Sequence, residues 1–136
     1  MEQNIEKEKY NTAKNKWQEF EQLAIDCVRD VYCHQETQLI PTRIVKDNGY
    51  DAKILSDAFQ DEKILSLIEA KLRNKNVGLR DVAATVIIGY NLGVYRIFFV
   101  INSYATPQFI DEIENFKKKT NLKCTIVDNP ILKSWI

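Results

Sequence analysis

Four glycines, three prolines and one histidine in 136 residues leave several chemistries without raw material. No glycine-rich run is spaced to cradle a nucleotide phosphate, so the chain carries no NTPase motor of its own. With His34 as its single histidine, the sequence excludes zinc mechanisms built on histidine pairs, and His34 itself reads as a cap or surface residue just past a helix. The three cysteines, Cys27, Cys33 and Cys124, are odd in number and lack C-x-x-C spacing. They read as reduced, mostly buried thiols rather than a disulfide framework or a zinc site. No apolar run reaches the roughly 20 residues of a membrane helix. The charged opening, Met1 to Lys16, is unlike a secretory leader, and a cytoplasmic protein without membrane contact is the expectation. Excess charge of either sign is also missing, with Lys+Arg and Asp+Glu both at 19. Tight phosphate binding would need positive charge concentrated locally.

A hydrophobic share of 45% and a charged share of 28% fit an ordinary folded protein. The length suits one domain, residues 1–136, with residues 1–11 expected as a frayed lead-in. From Thr12 to about Cys33, Trp17, Phe20, Ala24, Cys27, Val28 and Val31 recur at helical spacing and predict one buried stripe. Gln38 to Val45 is β-rich, and Pro41 makes it an edge or irregular strand. Lys46-Asp47-Asn48-Gly49 reads as a turn, Tyr50 to Leu55 as a second strand, and Ser56 to Lys63 as a polar hairpin connection. Ile64 to Lys71, apolar on both faces, reads as a central strand. A helix opens at Asn76 or Gly78, runs to about Asn91 and stops near Gly93. Val94 to Ile101 is a buried strand whose Tyr95, Phe98 and Phe99 are assigned to packing. Thr106-Pro107 starts a helix through about Thr120, and Leu122 to Val127 is a last strand. The order α-β-β-β-α-β-α-β implies an α/β fold, a mixed five-stranded sheet flanked by helices with parallel crossovers after the hairpin.

Chemistry concentrates in two places. Asn48-Gly49-Tyr50-Asp51 puts an acid behind a glycine turn, and eighteen positions later comes Ile68-Glu69-Ala70-Lys71. In a strand, residues i and i+2 share a face, so Glu69 and Lys71 point at one spot that Asp51 on a neighbouring strand can complete. An acid-x-lysine triplet alone is weak evidence, and the chain holds three of them. Asp61-Glu62-Lys63 lies in the polar connection, and Asp51-Ala52-Lys53 lacks a partner acid before it. Only Glu69 and Lys71 stand at the carboxyl end of a buried strand, where open α/β sheets bind ligands. The plainer alternative is a strand emerging into solvent with an exposed ion pair. Two carboxylates and an ammonium can hold a hard divalent cation beside a phosphodiester.

These residues resemble the PD-(D/E)XK nuclease superfamily, most closely its Mrr-like restriction endonuclease branch, over about residues 12–128. Asp51 stands where that family has an acid before its second strand, and Asp47-Asn48-Gly49-Tyr50-Asp51 is similar to the branch's D-G-G-x-D run. Asn48 departs from it mildly, since Asn also tolerates left-handed geometry. Glu69 and Lys71 match the family's E-x-K. Phe20-Glu21 matches a first-helix glutamate of the branch. Glu21 shares the apolar stripe, where a carboxylate is costly unless paired or metal-bound, or else lies at its edge and reaches solvent.

The resemblance implies a restriction-endonuclease-like fold and a divalent-metal-dependent endonuclease acting on DNA. Mg2+ or Mn2+ would be held by Asp51, Glu69 and the Ala70 backbone carbonyl, with Glu21 at a second ion or a water. Such an ion polarises a phosphate oxygen and makes a water more acidic, and magnesium needs only one or two protein carboxylates. Lys71, an ammonium among acids, suits electrostatic stabilisation better than general-base work. DNA contacts are expected from Arg73, Lys75, Asn76 and Arg80, with backbone N–H groups at the helix start as a further phosphate site. A merely solvated loop is the alternative there. Lys117-Lys118-Lys119 reads as dipole complementation and solubility.

The setting implied is restriction or antiphage defence. A homo-oligomer is expected because one site cuts one strand, and a sensor or motor partner because little of the chain is left for sequence recognition. The competing reading is a non-catalytic nucleic-acid-binding or assembly module, active only with a partner. Intact Asp51, Glu69 and Lys71 speak against it. The sequence does not separate DNA from RNA as substrate.

Overall fold

Residues Glu2–Tyr32 contain neither glycine nor proline, and they form a single helix, α1, of 31 residues. The structure, a computed structural model, describes residues 2–33, 38–41, 51–55, 64–73 and 75–136. His34, the turn at 46–49, Tyr50, the connection at 56–63 and Asn74 lie outside the described residues. The frayed lead-in expected for residues 1–11 is instead helical from Glu2. Glu, Gln and Lys dominate that stretch, and their helix propensity carries it without an apolar face.

The expected α1 stripe needs correction at both ends. Phe20, Ala24, Cys27 and Val28 are buried, joined by Ile25, but Trp17 is 49% and Val31 50% exposed. A 31-residue helix is roughly 46 Å long at about 1.5 Å per residue. The longest strand has eight residues and spans roughly 26 Å, so the helix outruns the sheet beneath it.

The sheet has five strands in chain order, β1-β2-β3-β4-β5. They are β1 (Gln38–Pro41), β2 (Ala52–Leu55), β3 (Ile64–Lys71), β4 (Arg96–Ile101) and β5 (Lys123–Val127). β1–β2 and β2–β3 pair antiparallel, whereas β3–β4 and β4–β5 pair parallel. Pro41 closes the edge strand, where its missing N–H breaks no interior ladder. β3 is central and matches its expected span, with Leu67 and Ile68 both fully buried, one on each face.

Period-two alternation sorts the core into two layers. Ala52, Ile54, Ile68, Ala70, Phe98 and Val100 pack with α1. Leu67, Ile97, Phe99 and Ile101 pack with α2 (Leu79–Leu92) and α3 (Pro107–Thr120) through Val82, Val86, Phe109 and Ile113. Each such fully buried aliphatic or phenylalanine side chain contributes about 1.5–3 kcal/mol. Both helix boundaries follow local chemistry. Gly93 ends α2 at φ 70°, a left-handed position that costs glycine little. Thr106 caps α3 by accepting the Phe109 N–H at 3.2 Å ahead of Pro107.

Two further differences stand out. A short helix, α4 (Asn129–Trp135), follows β5 and is an element beyond the expected order. Pro130 in its first turn and buried Leu132 explain it, and Trp135 Nε1 donates to Asp30 of α1 at 3.3 Å. Tyr95 precedes β4 rather than lying inside it, and is 55% exposed instead of packed in the core. No helix among the described residues is long and apolar enough to cross a membrane.

Candidate active site

β3 delivers Glu69 and Lys71 to its carboxyl end, beside the parallel strand β4. Their same-face projection is realised. Lys71 Nζ lies 3.2 Å from Glu69 Oε1. Asp51 sits one residue before β2, on the antiparallel neighbour of β3. Its N–H donates to the Ile68 carbonyl at 2.8 Å, and its Oδ2 accepts the Ala70 N–H at 2.7 Å. Asp51 therefore holds β3 on both sides of Glu69. The three expected groups converge, and the exposed-ion-pair alternative fails because Glu69 is only 7% exposed.

Electrostatics follow from that burial. Desolvation first, and the nearby charge of Asp51 second, push the Glu69 carboxyl up to about 7. Lys71 and the Thr85 hydroxyl pull in the other direction. Asp51 is also raised, chiefly by burial, with the Ala70 N–H and Lys71 offsetting part of the cost. Buried Glu69 and half-buried Asp51 thus share one ammonium and remain short of positive charge. All available donors are hard oxygens, the set that suits Mg2+ or Mn2+. The residues present fit such an ion.

Glu21 is buried at 6% exposure, as its place in the α1 stripe requires. Its neighbours Phe20 and Ala24 pack on the layer containing Ile68 and Ala70, whereas Glu69 bonds to α2 on the other side. Among the described residues no three His, Cys, Asp or Glu side chains form a metal-binding group.

Thr85 is a site neighbour that sequence reasoning missed. Its Oγ1 donates to Glu69 Oε2 at 3.1 Å, and the residue is 3% exposed. With Lys71 on Oε1, both carboxylate oxygens of Glu69 are held. Gly89, one helical turn later, lets α2 come close, since a Cβ there would sit 2.6 Å from Ile97 Cδ1. The available signal was a lone hydroxyl within the apolar face Val82, Thr85, Val86, Gly89.

Arg73, Lys75, Asn76 and Arg80 are all exposed beyond the end of β3 and at the start of α2. Asn102, also missed, fixes the first of them. Its Oδ1 accepts the Arg73 N–H and its Nδ2 donates to the Arg73 carbonyl, both at 3.0 Å. At the α2 N-terminus, where backbone N–H groups were expected to offer a phosphate site, one donor is already engaged. Asp81 Oδ2 accepts the Gly78 N–H at 2.9 Å and adds a negative charge to the first turn of α2. Cys27 is buried, and burial pushes the half-buried Cys124 thiol up to about 11, the behaviour of an inert structural thiol.

A family model described as restriction endonuclease, of the Mrr catalytic type, matches residues 12–136. No curated protein matches the chain. Among solved structures, one of MspJI restriction endonuclease in complex with a 27-mer oligonucleotide superposes with a TM-score of 0.66 at 17% identity. The match covers 95% of this chain and 29% of that one, so the shared fold spans under a third of the larger protein.

Proposed function

As the chain belongs to the Mrr-type restriction endonuclease family, we propose that it is a divalent-metal-dependent endodeoxyribonuclease that hydrolyses DNA phosphodiester bonds. Family membership carries the coarse statement, a DNA-cleaving nuclease domain. One observation supports the finer reading, namely the tethering of Asp51 to the backbone on either side of Glu69, with Lys71 on Glu69.

Asp51 and Glu69 would hold Mg2+ or Mn2+ together with the Ala70 carbonyl. When bound, the ion supplies charge for the phosphate and a nucleophile near neutral pH. Asp51 keeps its geometry through the Ala70 N–H, and Thr85 fixes the Glu69 carboxylate, so the pair is set before substrate arrives. Lys71 orients the attacking water and offsets charge growing on phosphorus. Arg73, Lys75, Asn76 and Arg80 form the DNA-facing rim, with Asn102 holding Arg73. The reading rests on these groups without Glu21.

A domain spanning 29% of the MspJI chain leaves recognition to other parts. We place this nuclease as an effector in restriction or antiphage defence, with a second copy for the opposite strand and a sensor or motor partner supplying specificity. Purified protein incubated with supercoiled plasmid should nick it in Mg2+ or Mn2+ and not in EDTA. Asp51→Ala should be inactive. Equal nicking by wild type and Asp51→Ala would overturn the site, and silence in both would favour a binding or assembly module.

A further inference from the structure

A row of paired residues crosses the sheet three positions before Glu69. Ile54 pairs with Ser66, Ser66 with Arg96, and Arg96 with Lys123. Ile54, Ser66 and Arg96 line a cavity of about 230 Å³, closed by Tyr32 of α1 and by Phe98. It lies on the α1 side of the sheet near the starts of β3 and β4, whereas Glu69 bonds to α2 at the carboxyl end of β3. The two locations are separate.

The cavity's polar chemistry is unfinished. Arg96 Nε is buried and has no acceptor among the described residues. The described ion pairs are Arg29–Asp26 and Lys71–Glu69, so none of them neutralises Arg96. A buried guanidinium N–H without an acceptor is costly. Lys123 pairs beside Arg96 on the neighbouring strand and adds a second positive charge there, its Nζ donating to the Tyr95 hydroxyl. Tyr95 lies between them, its ring 5.7 Å from the Arg96 guanidinium and 4.6 Å from Lys123 Nζ. The missing acceptor at Arg96 and the positive charge around it call for an oxyanion, and the planar guanidinium is suited to bind one by two parallel bonds.

The walls specify what the oxyanion is attached to. The Tyr32 and Phe98 rings lie 4.9 Å apart at 47°, and the Arg96 guanidinium lies 5.8 Å from the Phe98 ring. Such a surface accepts a flat apolar body. At about 230 Å³ the space falls below the roughly 300–1,000 Å³ of pockets for drug-sized ligands, which leaves room for one ring and one anionic group.

We propose that this cavity is a second binding site, distinct from the carboxylate site, for a small oxyanion carried on an aromatic ring. Arg96 receives the oxyanion, and Tyr32 and Phe98 take the ring.

Phenyl phosphate, inorganic phosphate and benzyl alcohol would be titrated into the 136-residue chain, with amide chemical shifts and calorimetry as readouts. Phenyl phosphate should bind one to one and move the amides of Ser66 and Arg96. Phosphate alone and the alcohol alone should bind at least tenfold more weakly. Arg96→Gln, which keeps the side-chain stem over Phe98, should weaken phenyl phosphate at least tenfold, and Lys71→Ala should leave it unchanged. The proposal is overturned by an absence of saturable binding. Shifts centred on Lys71, or equal affinities for phenyl and inorganic phosphate, would also overturn it. Because the shift map is read on wild type, it decides the question even if Arg96→Gln folds poorly. Binding that survives in Lys71→Ala keeps this result independent of the nuclease reading.

Discussion

Asp51 is bonded to the residues on both sides of Glu69, through its own N–H to the Ile68 carbonyl and through Oδ2 from the Ala70 N–H. The spacing of the two carboxylates is thereby set by the backbone of β3 and not by side-chain rotamers alone. Asp51→Asn preserves an acceptor for the Ala70 N–H while removing the charge. We expect this variant to retain its fold by circular dichroism, lose calorimetric Mn2+ binding and lose plasmid nicking. Nicking at more than a tenth of the wild-type rate would remove Asp51 from the site.

Lys71 has a different task, since its ammonium touches Glu69 at 3.2 Å and also lowers the cost of charging Asp51. Lys71→Ala should reduce cleavage by roughly 10²–10³-fold, the scale of losing one electrostatic stabiliser of a transition state. Divalent binding should remain measurable by calorimetry. A variant that cuts at the wild-type rate would refute the assignment.

Much of this was legible in the sequence because it depends on short-range rules. The apolar run Ile64–Lys71, two-sided as in a central strand, gave β3, and the two-residue period of a strand put Glu69 and Lys71 on one face. Gly93 and Thr106-Pro107 marked helix limits through φ and capping requirements. Partners supplied by tertiary approach were not legible. Thr85 reaches Glu69 because α2 crosses β3 with Gly89 against Ile97, and Asn102 meets Arg73 across a sequence gap of 29. Periodicity also marks an apolar side without showing where its support ends, which is why Trp17 and Val31 were misplaced.

Thr85 tests that tertiary contribution. Thr85→Val is nearly isosteric and removes the hydroxyl that Glu69 Oε2 accepts from at 3.1 Å. Loss of a hydrogen bond to a charged group costs about 1.5–3 kcal/mol, or roughly 10–100-fold in metal affinity. The apparent Mn2+ requirement for cleavage should rise, whereas Thr85→Ser should restore it. An unchanged metal titration in Thr85→Val would deny Thr85 a positioning role.

The rim makes an ionic-strength prediction. Arg73 and Lys75 are exposed cations beyond the E-x-K strand, so each would displace counterions on contacting a phosphate. Alanine at either position should lower the slope of log binding affinity against log salt by about 0.9, in Ca2+ or with Lys71→Ala to prevent cutting. Sequence preference should not change. A slope equal to wild type would place the DNA elsewhere.

Finally, the site carboxylates tie stability to pH. Glu69 titrates at about 7 against its ordinary 4.5, so between those values the folded protein holds a proton that the unfolded chain has released. Stability must then fall as pH rises through this window and level off above it, because the unfolded state binds fewer protons. For this gap the full effect is on the order of 3 kcal/mol, and raised Asp51 adds in the same direction. Urea midpoints without divalent ions should be lower at pH 8 than at pH 5, and Glu69→Gln should remove most of the difference. A saturating divalent ion binds the ionised pair in the folded state, so at 100 times its Kd it should add about 2.7 kcal/mol at pH 8. It should add much less at pH 5, where Glu69 is protonated. Equal stabilisation at the two pH values would mean that the ion binds away from Glu69.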